Sequence, residues 1–249
     1  LFTDSVSTES TISSVTFDYM NGHREGASAN ADEYAWMFRR AKGLFDVVTY
    51  DGTDSDRTQA HNLGVAPELI LIKRRGPSNA DWVWYVGPLG TGKYMYGDGG
   101  AELSSTTIWS NTAPTASVFS LGNQSGSTYR INGSGSTYIA YLWATVAGIS
   151  KIGSYTGTGS DLNVDCGFSA GARFILIKRT DAGSDGWYVY DSVRGIVAGN
   201  DPYLLLNTTD TQVTNTDYID PLSSGFTVTS SAPAGLNASS GTYIFLAIA

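Results

Sequence analysis

Charge is scarce in this 249-residue chain. Only 15% of residues are Asp, Glu, Lys or Arg, against roughly 25% in an average soluble domain. Basic residues are scarcest, 15 against 23 acidic, which leaves a net charge of −8. The few cations stand mostly at strand ends (Lys73, Arg74, Arg75, Lys178, Arg179) and assemble no basic face. That excludes a counterion-releasing nucleic-acid binder and a protein held on anionic membrane. Two histidines (His23, His61) and one cysteine (Cys166) are too few for transition-metal sites and rule out an intrachain disulfide. No apolar run approaches the ~20 residues of a membrane helix, the longest, 138–146, being strand-sized. Nothing resembles a signal peptide. No segment holds a 3.6-residue apolar period over three turns, so helix should be nearly absent.

What the chain does have is 29 glycines, 15 tyrosines, six tryptophans and much Ser, Thr and Asn. That mixture suits short strands, tight turns and a neutral, hydroxyl-rich surface of the kind that meets sugar or another protein. It also says nearly the same thing twice. Tyr50 and Tyr155 are 105 residues apart, and so are Trp82 and Trp187, Asn132 and Asn237, and Tyr138 and Tyr243. The run LILIKR at 69–74 returns as FILIKR at 174–179. A period this long means tandem domains, since solenoid repeats run roughly 20–50 residues.

The pattern predicts an all-β chain of two tandem homologous antiparallel β-sandwiches, jelly-roll-like, at 44–148 and 149–249. Residues 1–43 read as the closing strands of an upstream β-domain or as an N-terminal arm. In that reading an aromatic last strand occurs three times, at 34–41, 138–144 and 243–249. Both ends are expected to be cuts from a longer polypeptide.

Motifs with chemistry are few. Gly87 to Lys93 fits seven positions of a phosphate-binding loop, but Tyr94 replaces the hydroxyl residue and a strand follows, so it reads as a strand connection. His61 and Cys166 are also 105 apart; they occupy one position in two domains and make no dyad. Asp46, Glu68, Glu102, Asp191, Asp201, Asp217 and Asp220 are the candidate glycosidase carboxylates, but most fall in turns, where Asp is favoured for local hydrogen bonds. Calcium is the best ion candidate, at Asp51, Asp54 and Asp56, although the EF-hand spacing is missing. Among the aromatics, Trp82 and Trp187 read as core. Trp109, in a Ser/Thr/Asn-rich stretch without counterpart in the second copy, reads as a ligand-binding surface aromatic. Asn123, Asn132, Asn207 and Asn237 head Asn-x-Ser/Thr sequons.

The linked phrases at 45–75, 117–122, 133–160, 166–207 and 236–249 resemble tail and tail-fibre proteins of tailed phages. The resemblance covers about 34–249 as a whole-domain pattern. In that family the tandem module often follows a laminin-G-like domain. The resemblance implies a virion location, with a tail appendage favoured over the capsid, and brings no catalytic residues. It implies a structural, non-enzymatic protein whose partners are further copies of itself, a trimer among the options, other virion proteins and host-surface glycan. The alternatives are a carbohydrate-binding or adhesin module and a capsid decoration protein.

Overall fold

The computed structural model describes residues 3, 5–9, 15–19, 22–25, 36–123, 131–183 and 185–249. A hairpin of β1 (Val15–Tyr19) and β2 (Gly22–Glu25) precedes the repeats. The first unit contains β3 (Phe45–Asp51), β4 (Arg57–Ala60), β5 (Leu69–Gly76), β6 (Val83–Val86), β7 (Lys93–Tyr96), β8 (Leu103–Ser104), β9 (Val118–Leu121) and β10 (Thr137–Trp143). The second contains β11 (Ser150–Thr156), β12 (Leu162–Asp165), β13 (Phe174–Arg179), β14 (Tyr188–Asp191), β15 (Leu204–Leu205), β16 (Ile219–Leu222), β17 (Gly225–Val228) and β18 (Thr242–Ile248). One turn of α-helix, α1 (Ala234–Asn237), is the only α-helix among the described residues. The expected all-β class holds.

Both units solve the same topological problem in the same way. A large antiparallel sheet runs β3-β10-β5-β6-β7-β8 in the first and β11-β18-β13-β14-β15 in the second. Smaller sheets, β4-β9 and β12-β17-β16, cover one face of each. The last strand of each unit slots between its first strand and the LILIKR-type strand, so neither large sheet closes until the unit's final residues are in place. Register then sets Tyr138 opposite Tyr50 and Tyr243 opposite Tyr155. Those rings stack at 5.1 and 4.7 Å.

The residues shared by both copies form one repeated latch. Tyr50 Oη donates to the Ile131 carbonyl and Tyr155 Oη to that of Leu236, both at 2.8 Å. Asn132 Nδ2 donates to the carbonyls of Ser55 and Gly122, and Asn237 Nδ2 to those of Ser160 and Thr229. Their Oδ1 atoms accept from the Thr53 and Thr158 amides. A buried amide with partners on both ends is the arrangement that makes its burial affordable. Gly52 and Gly157 let the backbone come this close, since a Cβ would lie 2.0 Å from the Gly133 carbonyl oxygen and 2.3 Å from that of Ala238. Asn132 and Asn237 are therefore buried structural residues and not exposed sequons.

The side chains of the large sheets are apolar on both faces. Ile70, Ile72, Val83, Tyr85, Tyr138 and Leu142 face the interior of the first sandwich. Ile175, Ile177, Tyr188, Tyr190, Tyr243 and Phe245 do so in the second. The alternate residues (Leu69, Leu71, Trp82, Trp84 and Trp143 from one sheet, Leu176, Trp187, Val189, Ile244 and Leu246 from the other) form a third core between the units. Runs without alternation are what strands buried on both faces require. The molecule is thus four sheets deep, with its two large sheets back to back.

The N-terminal segment corrects one expectation. Residues 36–40 join no sheet, and Ala41 makes only an isolated bridge to Phe45; 34 and 35 lie outside the described residues. The segment lies across the seam between the units at the end where β3 starts and β18 finishes. Earlier residues run beside the first unit: Ser5 and Val6 carbonyls accept from Lys73 Nζ and the Ala80 amide, and Glu9 pairs with Arg75.

Candidate functional site

The seam between the large sheets is the most distinctive feature of the molecule. At its centre Trp84 and Trp187 stack at 4.3 Å with an interplanar angle of 20°. Both come from the strand edge next to the LILIKR-type strand, whose own Leu71 and Leu176 pack beside them. At the end where β3 starts, hereafter the near end, Phe38 wedges among Phe45, Trp143 and Phe174 at 5.4, 5.7 and 5.8 Å. Trp36 packs edge-on to Phe174 and donates its indole N–H to Asp191 Oδ2 at 3.1 Å. The Arg194 guanidinium sits 5.5 Å over the Trp36 ring and pairs with the same Asp191 carboxylate. Residues 36–38 are tied to the second unit by these contacts and to the first by the next residues. Arg40 pairs with Asp46, which also accepts from the Asn62 amide. Burial pushes the Asp46 carboxyl up, but the hydrogen bonds of Asn62, Arg40 and Val47 outweigh it and hold its pKa below the usual value.

Two cavities open on this seam. One, about 390 Å³, lies between the sheets and is walled by Trp36, Phe38, Trp82, Trp84, Tyr141 and Trp143. The second, about 670 Å³, is a groove across the near end beside Met37, Arg39, Leu44, Arg173, Val193 and Ile248. The indole N–H groups of Trp84, Trp143 and Trp187 are buried without a hydrogen-bond acceptor. The middle of the seam is held by apolar and ring contacts, with the Trp36–Asp191 hydrogen bond at the near end and the Glu102 amide donating to the Thr180 carbonyl between the units.

The residues singled out by sequence fall elsewhere. Trp109 is the main correction: it is 2% exposed, inside the first sandwich, edge-on to Tyr85 at 5.3 Å, with its indole donating to the Lys93 carbonyl. Its loop folds inward because the β4-β9 sheet has only two strands, and Trp109 with Ile108 fills the remaining space under the large sheet. Asp51, Asp54 and Asp56 lie at the opposite, far end. Asp56 accepts from Ser110 Oγ and the Asn123 amide, and no group of three metal-ligating residues occurs among the described residues. His61 and Cys166 are buried in separate units. His61 contacts the Thr115 carbonyl and accepts from the Leu63 amide. Burial pushes the Cys166 thiol up to about 12.

Three of the carboxylates do come near one another: burial, with the Asp217 and Asp220 charges beside it, pushes the Asp201 carboxyl up to about 7. Asp46 and Asp191 serve the seam arginines, Glu102 pairs with Lys93, and Glu68 accepts from Thr145. Asp201 is fully buried and accepts from the Tyr218 and Ile219 amides. Gly87 to Leu89 is a short 3₁₀ turn leading to strand β7, not a helix start. Trp82 and Trp187 are buried as expected, but in the seam and not inside a sandwich. The sequence signal for the seam is the alternation that puts Trp82 and Trp84 on one face and Val83 and Tyr85 on the other, both apolar.

Residues 11–249 match the family model described as Domain of unknown function (DUF7483). The chain belongs to this family. The match takes in both units, the seam and the segment that crosses it, so the family's shared span contains the whole back-to-back arrangement. No curated protein and no solved structure matched.

Proposed function

We propose that this protein is a non-catalytic structural component of a phage virion, a tail-fibre or related appendage part that works as a homo-oligomer. One observation carries the structural half of that reading: what the two copies share is spent on holding the fold. Tyr50 and Tyr155, Asn132 and Asn237, and Tyr138 and Tyr243 form the buried latch, and Trp82 and Trp187 enter the seam. Lys73 and Lys178 are fully buried on backbone carbonyls. A duplicated catalytic or sugar-binding unit would repeat reactive or exposed groups instead. The virion half of the reading rests on the resemblance of residues 34–249 to tail and tail-fibre proteins.

The carbohydrate-binding alternative depended on a solvent-facing Trp109, and that indole is buried. Electron microscopy of the assembled particle tests the proposal. Copies on a tail appendage are the expected result. Copies tiling the capsid would make it a decoration protein, and absence from purified particles would refute the virion reading.

A further inference from the structure

We propose that the near-end groove of one copy docks onto the acidic far end of a second copy, so that the protein associates head to tail. The near end gathers exposed apolar residues. Met37 is 63% and Val193 90% exposed, and Val65, Ile149 and Val197 stand on neighbouring loops. These are five of the eight large apolar side chains exposed among the described residues. Concentration at one end of the molecule, beside an open groove, is the signature of a contact surface and not of scattered surface residues.

Charge selects the partner. Arg39 and Arg173 line this groove and carry no ion pair among the described residues, whereas Arg40 and Arg194 at the same end are paired with Asp46 and Asp191. At the far end Arg75 and Arg179 are paired and Arg57 is turned onto the Tyr50 ring and Gln59, while Asp51, Asp54 and Asp56 carry no ion pair among the described residues, so the loop stays acidic. The Asp54 Oδ1 atom is buried without a hydrogen-bond partner. In a chain of net charge −8, two uncompensated arginines on an apolar groove fit an acidic loop, and this protein presents one at its other end. Groove and loop lie at opposite ends of the strands, so the contact is heterologous and leaves a free groove and a free loop at each end of any assembly. Such a contact extends into rows or closes into a ring.

The inference deepens the self-association part of the proposed function and rests on it there alone; particle imaging reads the virion location separately. Sedimentation over about 1 µM to about 1 mM covers contacts of this strength. The average mass of the wild-type protein should climb past the dimer as concentration rises. Raising salt from about 0.05 to about 0.5 M should reverse that climb. Two variants divide the contact: Arg39→Glu with Arg173→Glu reverses the groove charge, and Asp51→Asn with Asp54→Asn and Asp56→Asn removes the loop charge without creating a basic one. Each alone should associate at least about tenfold more weakly. Mixed together, the intact groove of the loop variant can take the intact loop of the groove variant, which should yield a dimer that extends no further. Met37→Asp with Val193→Asp should weaken association as the groove variant does, and circular dichroism checks that every variant stays folded. A wild-type protein monomeric throughout the range overturns the proposal. So does a groove variant that fails to associate while the loop variant associates normally, which means groove-to-groove contact, or a mixture that forms no dimer.

Discussion

Removing the Trp84–Trp187 stack tests whether the two units stand or fall together. Trp84 is 3% and Trp187 1% exposed, and neither indole N–H has an acceptor. Truncating either to Ala removes only apolar and ring contacts and leaves a cavity in a close-packed seam. Each change should cost about 3–5 kcal/mol, a large share of the ~5–15 kcal/mol by which domains are stable. The rings share one stack, worth about 0.5–1.5 kcal/mol, so the double variant should lose less than the two single losses added together by that amount. Trp187→Phe should cost far less than Trp187→Ala, because no hydrogen bond disappears with the indole. Urea unfolding followed by far-ultraviolet circular dichroism gives the free energies, with midpoints falling by more than about 1 M for the Ala variants. Hydrogen exchange supplies the sharper readout. Trp187→Ala, a change in the second unit, should lower protection of the β5 amides in the first. Single losses that add to within ~0.3 kcal/mol, or β5 protection at the wild-type level, would refute the claim that the seam makes one cooperative body.

Other outcomes follow from individual contacts. Asn132→Ala and Asn237→Ala each strand two backbone carbonyls and an amide; each should cost about 2–4 kcal/mol by the same urea assay, and a loss below ~1 kcal/mol would deny the latch its role. Burial pushes the ammonium groups of Lys73 and Lys178 down to about 8 from the ordinary 10.5. Above about pH 8 these two groups are deprotonated in the fold while the unfolded chain still binds their protons, so their contribution to stability rises with pH, most clearly between about pH 8 and 9 before the buried Cys166 and tyrosines pull the other way. Lys73→Met with Lys178→Met should flatten the rise in melting temperature, and an unchanged slope would contradict the assignment. Above about pH 10 the trend should reverse, because burial holds the Tyr50, Tyr155 and Tyr190 hydroxyls protonated in the fold while the unfolded chain releases those protons. Cys166, buried with its thiol pushed up to about 12, should react with a disulfide reagent only on unfolding; rapid labelling of the native protein would show the site to be open.

Sequence carried the repeat, the strand class and the near absence of helix because those depend on local patterns. The offset of 105 residues is visible by alignment of the chain with itself, and Gly, Pro, Asn and Asp punctuate the strands. Trp109 misled because its Ser, Thr and Asn neighbours describe the loop's surface and not where the indole goes. The 34–41 stretch misled in a related way. Its aromatic and apolar residues match the composition of the closing strands, but a strand needs a vacant edge to pair with. The edge strand β3 is paired on one side by β10, and residues 36–40 leave its other side unpaired, crossing the seam instead. Composition predicts pairing there wrongly: Trp36 and Phe38 are half-buried on the seam, and Met37, Arg39, Arg40 and Ala41 are exposed.

The seam was legible and its meaning is a matter of counting faces. A sandwich strand with one face inward and one outward should alternate, as Arg57–Ala60 in β4 does. LILIKR at 69–74 and the Trp82 to Val86 stretch do not alternate, so a second apolar surface had to meet their outer faces. Since the second copy carries the same unalternating strand at the same place, the nearest surface of matching shape and polarity was the other repeat. Duplication thus supplied the partner in the same chain, and the stacking of Trp84 on Trp187 follows from it. The same reasoning bears on what stays uncovered. The outer faces of the two large sheets are used up on each other, which is why the proposed head-to-tail contact is placed at the strand ends, with Arg39 and Arg173 at one and Asp51, Asp54 and Asp56 at the other.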